Sequence, residues 1–418
     1  MLAKIEYLIH NINNNKKVIE NYLFMTALPI LSSLVGILLY PYLIRKLGAE
    51  NYGLYIFSIS FTSYFIGFIS FGFSFPALKG IVENRENQLQ KNKIVSSVFS
   101  AKLLLAIISV IIFILTLMFI PIVRNNKLIF IISFSQIISE IFYPSWYFQG
   151  MQKMHVVTVI QLGFRLLTIP FIFIFIKNPV DIWIFALITS LSIILSGAAS
   201  ILFLIFKEKI VINFISFKGL GKYFREALPF FWSSTIDTMK QESVTIFIGA
   251  FFGMYDVAIY DLANKIVIIP RMLTMSINSA LFPKVISNAE KLIIKKIIKY
   301  ETTIGFATMF LVILFGYWIV LLMGGINMIS AYPIAIILSF TVLSWLVVGG
   351  YINFIFIPQN LYYFVTRNQF VAFISFLFFS ISGLLFSESI YVLIIALAFS
   401  GLVEILYCKY LINKHHLL

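Results

Sequence analysis

Glu140, Arg165, Asp237, Lys240, Glu242, Lys265 and Arg271 sit inside stretches of chain that are otherwise apolar. An ionisable side chain at bilayer depth costs roughly 3 kcal/mol or more, so its presence calls for an ion pair or a hydrated cavity. Four cations (Arg165, Lys240, Lys265, Arg271) stand against three acids (Glu140, Asp237, Glu242). If they share a cavity, the single surplus positive charge tilts it toward anionic ligands. The same residues are also readable as structural pairs that lock helices together, and residue type alone does not choose.

Depth and face narrow the pairing. At about 1.5 Å per residue, Glu140 and Arg165 fall at similar depth on neighbouring helices and are expected to pair. Asp237 is level with Arg271, and Glu242 with Lys265, while Lys240 has no evident partner. Asp261 and Glu404 are expected nearer an interface. Ser234, Thr238, Gln241, Thr245 and Gly249 form one stripe at helical spacing; Asp261, Asn264, Lys265, Arg271 and Asn278 form a second; Ser60, Ser63, Gly67, Ser70 and Ser74 form a third. Such stripes face a bundle interior or water rather than lipid. Gln241, Asn264 and Asn278 are therefore the expected polar lining.

The elements that must hold these residues are transmembrane helices. The 418 residues are 61% hydrophobic and 11% charged, and the mean hydropathy is +0.98. Those values describe an integral membrane protein. Apolar runs long enough to span a bilayer lie at about 22–44, 52–78, 98–123, 128–148, 155–176, 180–206, 228–252, 256–282, 304–323, 331–356, 368–386 and 389–410. The expected class is all-α, with twelve helices in two lobes, 22–206 and 228–410, around a central cavity. A linker (207–227), a leading segment (1–21) and a tail (411–418) complete the chain. No leader with a cleavage site is evident in the first twenty residues. Twenty-one lysines and arginines fall in the segments on the side of the termini, against five (Arg45, Lys46, Arg124, Lys127, Lys177) on the other. Both termini are therefore expected in the cytoplasm. The net charge of +14 reads as a topogenic signal and an attraction to anionic lipid, with no nucleic-acid partner. One cysteine, Cys408, and four histidines leave no expected metal site or cofactor.

A repeat relates the halves. "ALPILSS" (27–33) matches "ALPFFWSS" (227–234), "GAENYGLY" (48–55) matches "GMYDVAIY" (253–260), and Phe75-Pro76 and Phe282-Pro283 are expected to end helices 2 and 8. Parallel six-helix repeats suit transporters that rock one half against the other. Pro29 and Pro229 are placed in the first turns of their helices, and Pro170 and Pro270 deeper, as kinks. In "YPSWYFQGMQKM" (143–154), a cytoplasmic turn, the tryptophan is expected to anchor at the interface and Gly150 to cap a helix.

That stretch, the helix with a central arginine after it, and the "ALP" helix followed by "LGAENYGLY" resemble the bacterial polysaccharide flippases of the O-antigen transporter type. The resemblance covers nearly the whole chain and marks the family, not the sugar. The family belongs to the MOP (multidrug/oligosaccharidyl-lipid/polysaccharide) exporter superfamily, with the multidrug exporters and the peptidoglycan-precursor flippase. It implies movement of undecaprenyl-diphosphate-linked oligosaccharide from the inner to the outer leaflet of the bacterial inner membrane, by a monomer, alongside polysaccharide polymerase machinery. Arg165, Lys240, Lys265 and Arg271 would hold the diphosphate and anionic sugars. Glu140, Asp237, Glu242 and Asp261 would couple proton or sodium movement, or serve structure. Helix 1 carries no acid, unlike many of the drug exporters. An exporter of drugs or metabolites is the nearest rival, and a membrane-embedded polymerase or ligase a more distant one, because every outer loop is short.

Overall fold

The computed structural model describes residues 2–215, 217–287, 291–359 and 361–417; within them the side chains of 2–19, 22, 217–218, 237, 269, 273–287 and 291–293 are not described. Twelve helices organise these residues: α1 (Leu2–Leu47), α2 (Ala49–Ser70), α3 (Gln88–Phe119), α4 (Lys127–Gly150), α5 (Met154–Phe175), α6 (Ile182–Phe206), α7 (Phe217–Phe251), α8 (Met254–Ser287), α9 (Lys291–Gly324), α10 (Ala331–Tyr351), α11 (Tyr362–Phe386) and α12 (Ile390–Lys414). Among the described residues, ten are long and apolar enough to cross a membrane. The other two, α7 and α8, are the helices that carry Asp237, Lys240, Glu242, Asp261, Lys265 and Arg271. A helix closes its own backbone hydrogen bonds, which is why this class suits a lipid environment.

Several edges differ from expectation. α1, α7 and α9 begin about one to two dozen residues earlier than their apolar runs do. Hydropathy registers only the part that prefers lipid, whereas the backbone ladder continues through polar residues. Pro29 and Pro229 consequently lie inside α1 and α7 rather than in first turns.

The end of α2 is corrected too. It stops at Ser70, because Phe71 (φ 43°) and Gly72 (φ 70°) turn the chain into a short helix, Ser74–Glu83, whose first turn holds Phe75 and Pro76. A Cβ on Gly72 would lie 2.7 Å from the Phe231 nitrogen, so this turn needs glycine for space as well as conformation. Rings seal it: Phe71 stacks on Phe231 with centroids 4.2 Å apart, and Phe75 on Phe230 at 4.8 Å. α8 runs past Pro283 to Ser287, so neither Phe-Pro pair ends its helix.

Helix contacts divide the chain into two compact units. The first holds 1–35, 65–176 and 183–234, and the second holds 36–64, 177–182 and 235–418. Within the first, Phe113 and Phe134 stack at 3.9 Å with Phe65 edge-on. Within the second, buried Leu343, Tyr351, Phe354, Phe356, Cys408 and Leu411 cluster around a π-turn, Ile352–Phe356.

The second unit also preserves the repeat's middle landmark. Gly48 (φ 78°) and Gly253 (φ 112°) each turn the chain just before a helix, α2 and α8. The two helix starts then meet: a Cβ on Gly53 would lie 1.7 Å from the Met254 carbonyl oxygen. Backbone cannot retreat as a flexible side chain can. Gly53→Ala is expected to destabilise by about 2 kcal/mol or more. Gly349→Ala, in α10 with nothing within 4 Å of the new methyl, is expected to be neutral or stabilising by about 0.5 kcal/mol. Thermal unfolding of the two purified variants checks the contrast, and equal midpoints would refute it.

Candidate functional site

In the first unit, the partner that the structure gives Glu140 is Lys102, at 2.6 Å, with the two side chains 3% and 20% exposed. Depth matching had set Glu140 against Arg165 and left Lys102 out, although a lysine five residues into an apolar run was a legible signal. Lys102 also donates to the Glu140 carbonyl oxygen at 2.9 Å. The backbone explains why. In a continuous helix that carbonyl would receive the N–H of residue 144, but Pro144 has none. α4 breaks there, at 143–144, and earlier at 135–136. One ammonium therefore answers both a buried carboxylate and a carbonyl orphaned by proline. The earlier break is stitched to α6 by Gln136 Nε2 donating to Ser190 Oγ (3.0 Å) and Ser139 Oγ donating to the Ile193 carbonyl (2.9 Å).

The stretch 143–154 is a lock rather than an anchor. Trp146, Tyr147 and Phe148 are buried, which corrects the interfacial reading of the tryptophan. Gly150 ends a helical turn, Ser145–Gly150, and its role is space: a Cβ would lie 2.8 Å from Ile81 Cγ2. The left-handed residue is Gln152 (φ 56°), so Gly150 is not the cap. Arg85 Nε donates to the Gly150 carbonyl at 2.9 Å, and Lys153 pairs with Glu208 at 2.6 Å, where Tyr147 also reaches the carboxylate at 3.4 Å. Proline, aromatics, glycine and lysine thus fasten α4, α6 and the helix Ser74–Glu83 at one end of this unit.

The second unit holds most of the remaining candidates. Lys240, expected without a partner, pairs with Glu404 at 2.7 Å, the side chains 17% and 12% exposed. Glu404 is a full helix away in α12, so counting along α7 and α8 could not find it. Lys265 pairs with Asp261, one turn back on α8, and not with Glu242. Two rings frame this pair: the ammonium lies 5.3 Å from the Tyr40 centroid and 5.7 Å from that of Tyr52, and the Tyr52 hydroxyl donates to Asp261 Oδ2 at 3.1 Å. Neither tyrosine was singled out by sequence. Arg271 lies over the Trp345 ring at 4.7 Å. Glu242 accepts from the Ser60 hydroxyl, with Tyr64 and Ser243 in hydrogen-bond contact beside it at 2.9 Å. Among the described residues Glu242 forms no salt bridge. Asn264 is half-buried and Gln241 exposed. The side chains of Asp237 and Asn278 lie outside the described residues. Arg165 is half-buried on α5.

Three lysines are therefore each matched by a carboxylate in its own unit, and among the described residues Glu242 forms no salt bridge. A matched pair adds little net attraction for an anion. A guanidinium remains charged at any accessible pH and offers a planar fork of donors.

The comparisons with known proteins decide the family. A family described as "Polysaccharide biosynthesis protein" matches residues 18–290. The chain belongs to that family. A protein named for O-antigen transport in Escherichia coli (strain K12) is 25% identical over 276 residues, which is 66% of this chain and 66% of the relative. A counterpart of the same name in Shigella dysenteriae is 30% identical over 220 residues, 52% of this chain and 54% of the relative. These matches span two thirds or less of each relative's length. The fold is shared with the lipid II flippase MurJ in an inward closed conformation (TM-score 0.69, 13% identity, 94% of this chain and 87% of that one). It is also shared with an inward-facing multidrug transporter of the MATE family of the MOP superfamily (TM-score 0.67, 13% identity, 91% and 98%).

Removing one partner of a buried pair strands the other. Lys102→Met is expected to cost about 3–5 kcal/mol, and Lys102→Met with Glu140→Leu less than Lys102→Met alone. Unfolding midpoints of the single and double variants in detergent measure this coupling. Additive losses would show that the pair does not act as one.

Proposed function

We propose that this chain is a flippase that carries undecaprenyl-diphosphate-linked oligosaccharide from the cytoplasmic to the outer leaflet of the bacterial inner membrane. The observation that carries the reading is membership of the polysaccharide biosynthesis family by a chain with the MOP-superfamily fold. The relatives named for O-antigen transport support the same cargo. Twelve helices with intramembrane charges suit transport rather than catalysis. The charge bias of the loops supports cytoplasmic termini, and the repeat supports lobes 22–206 and 228–410 that alternate access.

Within that reading the cavity cations divide. Arg165, Lys240, Lys265 and Arg271 hold the diphosphate, the two lysines from pairs with Glu404 and Asp261 and the two arginines through guanidinium groups that keep their charge at any accessible pH. Glu242, a carboxylate that no cation neutralises among the described residues, is the coupling acid for a proton or sodium ion.

Deleting the gene should abolish the surface glycan and accumulate its lipid-linked precursor. Arg165→Ala and Arg271→Ala should each lower surface glycan at least about tenfold with protein level maintained, since a charged hydrogen bond to phosphate contributes about 1.5–3 kcal/mol. Quantified surface glycan and extracted precursor decide the matter. An intact surface glycan in the deletion strain would sink the flippase reading in favour of an exporter of the same fold. Glu242→Gln should uncouple transport from the ion gradient, seen as loss of ionophore sensitivity.

A further inference from the structure

The turn between α1 and α2 opens a cavity of about 540 Å³ that the intramembrane charges do not touch. All its lining belongs to the second unit: the sequence around Gly48, together with Tyr255 at the start of α8 and the turn after Gly324. Small-ligand sites occupy roughly 300–1,000 Å³, so the size suits a compact ligand of one or two rings.

Its chemistry is neither that of lipid nor that of a phosphate site. Arg45 and Glu50 both reach the cavity, and among the described residues neither forms a salt bridge. Asn51 spends its Nδ2 on the Leu47 and Pro179 carbonyls, at 3.1 and 3.2 Å, which fixes the amide and leaves Oδ1 as an acceptor. Asn327 presents a second carboxamide, and its own carbonyl takes the Tyr255 hydroxyl, so that ring is held at the rim, 43% exposed. A cation, a carboxylate, two carboxamides and a fixed aromatic face form a mixed donor-acceptor set that matches vicinal hydroxyls on a ring with an apolar face. A lone diphosphate would be repelled by Glu50.

From this geometry we infer a carbohydrate-binding subsite at the α1–α2 turn, which takes a sugar of the transported glycan. The inference rests on the flippase reading for the identity of the sugar. It separates a diphosphate contact among the helices from a glycan contact at the helix ends. The glycine-rich text "LGAENYG" then has two duties, since Gly53 permits close packing while Arg45, Glu50 and Asn51 face the ligand.

The test uses the full-length protein in nanodiscs and one repeat unit of oligosaccharide, released from the host strain's surface polysaccharide and free of diphosphate. Calorimetric titration should show saturable binding that weakens about tenfold or more in Arg45→Ala/Glu50→Gln and stays within twofold in Lys222→Ala, an exposed lysine of the first unit. If the double variant does not accumulate, Glu50→Gln alone, nearly isosteric, should weaken binding at least threefold. No saturable binding to the wild type, equal binding by the variants, or displacement by phosphoethanolamine but not by added oligosaccharide would overturn the subsite. The deletion strain separates the two claims. Lost surface glycan with unchanged binding by the variant refutes the subsite alone. Retained surface glycan refutes the transport reading, and with it this choice of sugar.

Discussion

In an apolar surrounding a polar group left unanswered is costly, and many side-chain choices in this molecule's interior follow from that constraint. Lys102 shows it most fully. Pro144 breaks α4 and frees the Glu140 carbonyl, while Glu140 itself brings a carboxylate into the bundle. One lysine on α3 satisfies both. The same economy appears among the hydroxyls, many of which turn back onto their own helix, as Ser97 does to the Lys93 carbonyl and Thr62 to that of Ser58. A polar stripe on a helical wheel is therefore not by itself a wet surface, because short side chains can close on the backbone that carries them.

What remains after this internal pairing defines the functional landscape. Lys240 and Lys265, the more obvious cations by position, are held by Glu404 and Asp261. Glu242 forms no salt bridge among the described residues. Arginine is the residue whose charge survives an apolar setting, so a cavity that must keep positive charge while staying mostly dry is better served by guanidinium than by ammonium. The tyrosine rings around Lys265 extend the idea: an ammonium framed by Tyr40 and Tyr52 and paired with Asp261 is costly to move alone.

Architecture and family were legible in the sequence, because twelve apolar runs and a few glycine- and proline-bearing motifs suffice for both. Side-chain pairing was not. Depth counting compares levels between neighbouring helices, so it set Lys265 against Glu242 and missed Asp261 one turn back on the same helix, and it could not see α12 reach α7 through Glu404. Helix ends were misjudged wherever a polar segment continued a ladder begun in lipid, as at Pro29 and Pro229. The stretch 143–154 was misread for a related reason. Tryptophan at a helix end usually marks a membrane surface, but here Trp146 is covered by protein, and Gly150 yields space to Ile81 rather than turning the chain. Each of these errors substitutes a local tendency for a tertiary contact.

The solitary thiol of Cys408 has a consequence of another kind. It is fully buried in the apolar cluster beside the π-turn, with Tyr351 and Leu411 around it. A polar maleimide finds no path to it in the folded protein, so the natural chain is chemically silent toward such reagents. A thiol placed at any loop would be the sole reactive point on the molecule. Sidedness in the membrane can thus be read from which face the reagent must approach, without first stripping the protein of its own cysteine.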